Sequence, residues 1–352
     1  MRGYGIISLN QHGWIEKEKP VAGPLDAILR PIAVAPCSSD THAMHGGGGE
    51  KKNVIMGHES VGEVVEVGSL VKDFKPGDKV VVPCCTPDYS ALGIQQKGAN
   101  SAHDRRLIGG FQFLSAKDGV FAEFYHVNNA DSNLVKLPED VSVDAALMAT
   151  DMMSTGFYGV EMADVQFGDT VVIFGIGPVG LMAVAAAKLR GAGRIIVTGT
   201  RPNCIELAKE YGATDIVNYK EGDVVEQILE MSGKVDRCII AGGNSSTMNQ
   251  ALKIAKPNSV VANINYFDGS DVFNVPAPLW GLGMADITIK GGFCPGGALR
   301  MHKLLEMIRY GRVQPEKLLN VQFEGFDKIR DAFILMDEKP RDLIKPVVHI
   351  QW

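Results

Sequence analysis

Gly175-Ile176-Gly177-Pro178-Val179-Gly180 stands between an apolar β-branched run and a stretch of small apolar residues, and no other segment restricts the fold as strongly. A Gly-x-Gly-x-x-Gly loop alone is weak evidence. Set between a strand and a helix, its glycines permit a sharp turn and let a pyrophosphate approach the helix N-terminus. The surroundings supply that context. Residues 171–174 read as a buried strand and 179–189 as a helix packed against it. Strands at 194–198, 215–217, 237–241 and 259–264 then alternate with helices at 204–211 and 247–254. This rhythm predicts an α/β chain with a doubly wound parallel sheet.

The rhythm before residue 153 is different. Short β-branched runs at 27–31, 62–67 and 79–82 alternate with turns and read as strands of a mostly-β domain. Residues 86–115 read as a long, irregular, polar surface loop, and the glycines at 46–49 as a flexible turn. After about residue 295 come helices at 299–310 and 326–336 and a closing strand at 345–350. A chain of 352 residues has room for two cores. The expected domains are 1–153, 154–295 and a return to the first in 296–352.

A net charge of −6, with basic residues scattered in pairs such as Lys51-Lys52 and Arg105-Arg106, leaves no footprint for nucleic acid or an anionic membrane. The uncharged run 170–187 is broken by Gly175, Gly177, Pro178 and Gly180, which suits strand, turn and helix rather than a membrane span. The first residues lack the pattern of a secretory signal. Six cysteines, at 37, 84, 85, 204, 238 and 294, form no regular framework, so a reduced, cytoplasmic chain is expected.

The second strand of the alternating region ends in Thr198-Gly199-Thr200-Arg201. NAD-binding sheets usually place an acidic residue there to hold the ribose 2′-hydroxyl, and none occurs between Gly180 and Glu206. Gly199 and Thr200 leave room for a phosphate that Arg201 can pair with, which favours NADP(H). The plainer reading of Arg201 is an exposed loop cation.

Three residues in separate segments could ligate a metal: Cys37 in Ala35-Pro36-Cys37-Ser38-Ser39-Asp40-Thr41-His42, His58 in Gly57-His58-Glu59, and Asp151 in Thr150-Asp151-Met152-Met153. Singly, Cys37 reads equally as a small core residue, His58 as a satisfied core histidine and Asp151 as a helix cap. Together, thiolate, imidazole and carboxylate suit tetrahedral Zn²⁺ with one open position.

With the glycine loop, Gly13-Trp14-Ile15-Glu16-Lys17 and Asp342-Leu343-Ile344-Lys345-Pro346, these stretches resemble the zinc-dependent medium-chain alcohol dehydrogenase family over essentially the whole chain. The likeness is greatest to its bacterial and protist NADP-dependent secondary-alcohol branch, to which Asp at 151 points; the wider family commonly has Cys there. The resemblance implies a Rossmann domain beside a mostly-β GroES-like catalytic domain. It implies one catalytic zinc on Cys37, His58 and Asp151, with Glu59 as an exchangeable fourth ligand. Many members carry a four-cysteine structural zinc lobe, but no cysteine lies between Asp88 and His126, so that second zinc is not expected.

The same resemblance puts Ser39 on the substrate oxygen and His42 on the proton path to solvent. Their plainer readings are a turn residue and a surface histidine. Cofactor contacts are implied at Gly175, Ile176, Gly177, Pro178, Val179, Gly180, Gly199, Thr200, Arg201, Tyr219, Ile264, Asn265, Tyr266 and Lys339. Cys84, Phe111, Tyr266, Phe293 and Cys294 would line the substrate pocket. Phe111 stands where relatives often have Trp and Phe293 where they have Leu, which affects pocket size. The implied reaction interconverts small secondary alcohols and ketones by zinc-assisted hydride transfer in a homotetramer. Two other readings fit the scaffold: a zinc-free enone or quinone reductase, which would not need the three ligands together, and a non-enzymatic NADPH-binding protein.

Overall fold

Ala27–Val34, Ser60–Val67 and Lys79–Val82 form the frame of the first part of the chain. In the computed structural model, which describes residues 1–97, 111–267 and 272–352, they pair antiparallel, with Ala33 opposite Val61 and Val61 opposite Val81. The sheet runs in the order Leu319–Glu324, Lys345–His349, Ala27–Val34, Ser60–Val67, Lys79–Val82, Val135–Lys136, and Tyr125–Val127 also pairs with Ala27–Val34. A smaller antiparallel sheet joins Arg2–Ser8 to Gln11–Glu16 and Val54–Ile55. Tyr4, Leu29, Met56, Phe113, Phe121, Tyr125, Phe333 and Val348 belong to the core these sheets enclose. Met1–Ser154 and Cys294–Trp352 make up this unit, and Thr155–Phe293 forms a second.

In the second unit the strands run parallel in the order Asp215–Val217, Arg194–Thr198, Thr170–Phe174, Val235–Ile240, Ala255–Asn263, Thr288–Gly291. That is the doubly wound order, with its topological switch between Thr170–Phe174 and Val235–Ile240. Val172, Phe174, Ile196, Cys238, Ile240 and Val261 are in its core. The expected α/β class and parallel sheet are therefore present.

Several elements lack a sequence forecast above. Ser38–Met44 is a helix. Val224–Ser232 is another, begun by Asp223, whose side chain accepts from the Val225 and Glu226 amides at 2.8 and 3.0 Å. Leu319–Glu324 and Thr288–Gly291 are strands. The expected polar loop at 86–115 lies partly outside the described residues, at 98–110, and needs correction in the rest: Leu92–Lys97 is helical and Ile94, Phe113 and Leu114 are buried. Phe113 and Leu114 join the core of the first unit despite the polar composition around them. Arg105 and Arg106 lie outside the described residues. Among the described residues no helix is long and apolar enough to cross a membrane.

Backbone clamping fixes the approach to Ser60–Val67. Gly57 has a φ of 92°, and a Cβ there would come within 2.3 Å of the Phe121 ring. A Cβ on Gly119 would come within 2.2 Å of the Gly57 carbonyl oxygen. The chain can pass only because both residues are glycine. Gly57→Ala is therefore expected to cost about 1–3 kcal/mol from backbone strain, with overpacking added. A thermal melt followed by circular dichroism checks this, and a midpoint equal to that of the unmodified protein would contradict it.

Candidate functional site

Cys37 sits in extended conformation at the N-cap of Ser38–Met44, and its amide donates to Asp40 Oδ2 at 2.9 Å. An acid three residues into a helix that bonds back to the cap residue is one half of a capping box. The other Asp40 oxygen, Oδ1, accepts from the Gly57 amide at 3.1 Å and lies 3.2 Å from His58 Nδ1. Asp40 is fully buried. One carboxylate thus fixes the N-terminus of one segment and the imidazole of another, and it leaves His58 Nε2 facing inward.

Around Nε2 lie Ser39 Oγ at 3.2 Å, Asp151 Oδ2 at 3.3 Å and Glu59 Oε1 at 3.8 Å. Cys37 Sγ lies 4.0 Å from Asp151 Oδ2. Donor atoms of Cys37, His58, Glu59 and Asp151 all fall within 4.8 Å of one another. Asp151 is neither cap nor loop residue: it occupies a π-helical turn, Ala149–Met153, that continues the helix Val143–Met148. Such wide turns often carry functional side chains.

The charge balance of the cluster calls for a cation. Glu59 is fully buried; its Oε1 is paired with Lys345 Nζ at 2.8 Å, while Oε2 has no hydrogen-bond partner. Burial pushes the Glu59 carboxyl up to about 7 even with Lys345 beside it. Burial also disfavours positive charge on His58, but the Asp40 and Asp151 carboxylates outweigh it and hold the imidazole well above its ordinary value. An unpartnered carboxylate oxygen, a thiol and an inward imidazole nitrogen with its other nitrogen fixed form a donor set suited to Zn²⁺. Asp40 and Lys345 received no role from sequence. The signal for Asp40 was its spacing from Cys37; for Lys345 it was a lone cation in an apolar strand.

The pocket candidates divide between the units. Phe111 packs edge-on against the His58 ring, with centroids 5.3 Å apart and planes at 72°. Cys84 and Cys294 are buried, and their sulfurs group with a carboxylate oxygen of Asp151. His42 is exposed on the helix that carries Ser39. Phe293 is half-buried in the second unit.

The dinucleotide loop is built as its glycines require. Gly175 has a φ of 89°, and a Cβ there would approach Gly242 Cα to 2.9 Å, across the topological switch. A Cβ on Gly180 would lie 1.9 Å from the Gly175 carbonyl oxygen, so the helix Pro178–Leu189 can pack close to the strand before it. Gly177 is the N-cap, Pro178 takes the first helical position and Val179 follows it. A Cβ on Gly199 would collide with Ile176 Cγ1 at 2.3 Å. Thr200 Oγ1 donates to the Tyr219 hydroxyl at 3.0 Å. Arg201 Nη2 would lie 3.9 Å from a Cβ on Gly177, which brings its charge to the phosphate loop. Asn265 donates to the Gly243 carbonyl at 3.4 Å, Ile264 lies against Gly159, and Tyr266 is about half exposed. Lys339 belongs to the first unit, where its Nζ donates to Ser38 Oγ at 3.1 Å.

The profile of the family described as "Zinc-binding dehydrogenase" matches residues 178–309, and that described as "Alcohol dehydrogenase GroES-like domain" matches 23–139. The chain is 57% identical over 351 residues to the NADP-dependent isopropanol dehydrogenase of Thermoanaerobacter brockii, covering 99% of each. It is 50% identical over 355 residues to the protein of the same description from Entamoeba histolytica, covering 100% of this chain and 96% of that one. Among solved structures, alcohol dehydrogenase TADH from Thermus sp. ATN1 superposes with a TM-score of 0.87 at 27% identity, covering 100% of both chains.

Asp40→Asn is expected to weaken zinc binding by roughly 10–100-fold, since the group that orients His58 and supports its basicity would be weakened. Competition with a coloured chelator measures this, and an unchanged affinity would refute the orienting role.

Proposed function

The chain belongs to the zinc-dependent medium-chain alcohol dehydrogenase family, and from that membership we propose that it interconverts small secondary alcohols and ketones using NADP(H). The observation that carries the reading is the convergence of Cys37, His58, Glu59 and Asp151 on one buried point with an unpartnered carboxylate oxygen. A zinc-free reductase on this scaffold would have no use for that cluster.

Cys37, His58 and Asp151 would hold the zinc, with Glu59 as an exchangeable fourth ligand. Bound there, the metal would supply Lewis-acid polarisation of an alcohol or carbonyl oxygen, and NADP(H) would supply the hydride chemistry. Asp40 holds His58 in one tautomer through Nδ1. Ser39 Oγ hydrogen-bonds the substrate oxygen and relays its proton, accepting it while releasing its own hydroxyl proton; His42, exposed one turn later, passes a proton on to solvent. Cys84, Phe111 and Cys294 bound the substrate and exclude water. Tyr219, Ile264, Asn265 and Tyr266 join the glycine loop in holding the dinucleotide.

Gly199, Thr200 and Arg201 favour the 2′-phosphate. The absence of an acid at the strand end and the position of the Arg201 guanidinium over the loop support this. The protein works as a cytoplasmic homotetramer. Free thiols support the first part. For the second, every residue of the edge strand Thr288–Gly291 is exposed, and Leu282 and Met284 nearby are 65% and 76% exposed; an open edge beside apolar side chains invites pairing with another copy.

The substrate class is tested by comparing alcohols at equal subsaturating concentration: propan-2-ol and butan-2-ol are oxidised faster than ethanol, and acetone is reduced in the reverse direction. Turnover of ethanol well above propan-2-ol would overturn the secondary-alcohol assignment while leaving the metal site untouched. The cofactor assignment is tested by kcat/KM for NADPH against NADH. Arg201→Ala erodes the preference mainly through KM, because a pair made equally in ground and transition states is lost. A parent enzyme that prefers NADH would sink the phosphate reading.

A further inference from the structure

Beside the zinc ligands lie two thiols, Cys84 and Cys294, whose sulfurs have no metal-binding role in the proposed alcohol dehydrogenase reaction. Atoms of Cys84, Asp151 and Cys294, all buried, fall within 4.8 Å of one another. Backbone contacts hold them in place. The Cys84 amide donates to the Thr150 carbonyl at 3.1 Å, which ties that thiol to the π-helical turn carrying Asp151. The Cys294 thiol lies 4.0 Å from the Asp151 carbonyl oxygen and 3.6 Å from that of Pro295. A Cβ on Gly296 would come within 1.8 Å of the Cys85 carbonyl oxygen, so the backbone at 294–297 is pressed against that at 84–85. Ser154 Oγ donates to the Pro295 carbonyl at 2.8 Å, and Arg300 donates to the Ser154 carbonyl at 2.9 Å. The two thiols cannot readily move apart.

We propose that Cys84, Cys294 and Asp151 form a second metal subsite, selective for a soft, thiophilic d¹⁰ cation, which shares the Asp151 carboxylate with the catalytic zinc and inhibits the enzyme when filled. Two sulfurs and one carboxylate oxygen give three ligands with a fourth position open, a geometry that Cd²⁺, Hg²⁺ or Cu⁺ accepts and that the hard Mg²⁺ and Ca²⁺ reject. Binding releases the thiol protons to solvent and leaves both sulfurs as thiolates. No oxidation is involved. Inhibition follows because the cation occupies two side chains placed against the substrate and draws on a carboxylate that the zinc also uses. Cys85 supplies a control: its sulfur lies 4.0 Å from that of Cys84, yet it is outside the three-donor set.

The test uses the zinc-loaded full-length protein in a phosphine reductant, titrated with CdCl₂. Ultraviolet absorption follows thiolate-to-cadmium charge transfer, and elemental analysis after gel filtration counts both metals. The expected result is one cadmium per chain bound with the zinc retained, with alcohol oxidation falling in step with the thiolate band. Cys294→Ser is expected to lower cadmium affinity at least about tenfold while zinc content is kept, since a ligand is removed outright. Cys85→Ser is expected to bind cadmium as the parent does. Cadmium that displaces zinc one for one, cadmium that fails to bind while zinc stays, or equal binding by Cys294→Ser would each overturn the proposal. Absence of zinc from the active parent enzyme would instead refute the catalytic reading of the first site, and the dependence of cadmium binding on Cys294 would still decide the second.

Discussion

The two oxygens of Asp40 accept from the Cys37 amide, the Gly57 amide and the His58 ring, and the geometry of the donor cluster rests on that one carboxylate. Cys37 begins a helix and His58 precedes a strand. Without a shared partner, the two side chains would each follow their own element. A carboxylate buried this deeply is tolerable only because its acceptor sites are filled. The clamped glycines at 57 and 119 serve the same end from the backbone side. Hydrogen bonds of the protein itself thus hold both segments in place, which is what preorganisation requires.

Glu59 and Lys345 add a second constraint of opposite character. Both are fully buried, and they lie 286 residues apart in sequence. Lys345 Nζ also donates to the Pro36 carbonyl at 3.0 Å, next to Cys37. Burying such a pair brings little net stability, whereas losing one partner typically costs about 3–5 kcal/mol. The pair is better understood as holding Glu59 beside the other donors with one oxygen engaged and the other available. The C-terminal segment, which closes the sheet through Lys345–His349, thereby contributes directly to the electrostatics of the centre.

Much of this was legible in sequence because its signals are local. The glycine loop, the strand–helix alternation and the missing acid after residue 198 each depend on neighbouring residues. Cys37, His58 and Asp151 could be picked out by chemistry, although only folding brings them together. What escaped was non-local or weakly patterned. Lys345 acquires meaning only from Glu59 across the sheet. Asp40 looked like an ordinary residue of a short segment because the helix after Cys37 is a mere seven residues long. The segment after residue 86 looked like polar loop because its anchors, Ile94, Phe113 and Leu114, are too widely spaced to show a period.

The π-helical turn at Ala149–Met153 has a further implication. In a regular α-helix each residue advances by one step of a 3.6-residue turn, so a side chain's direction is dictated by its distance from the last buried one. A wide turn absorbs an extra residue and breaks that dependence. The chain can bury Leu147, Met148, Met152 and Met153 and still present a carboxylate from among them, without unwinding into a loop. The ligand then inherits the stiffness of a helix instead of the mobility of a connection. A donor cluster gathered from separate segments of the chain gains from one member that does not move.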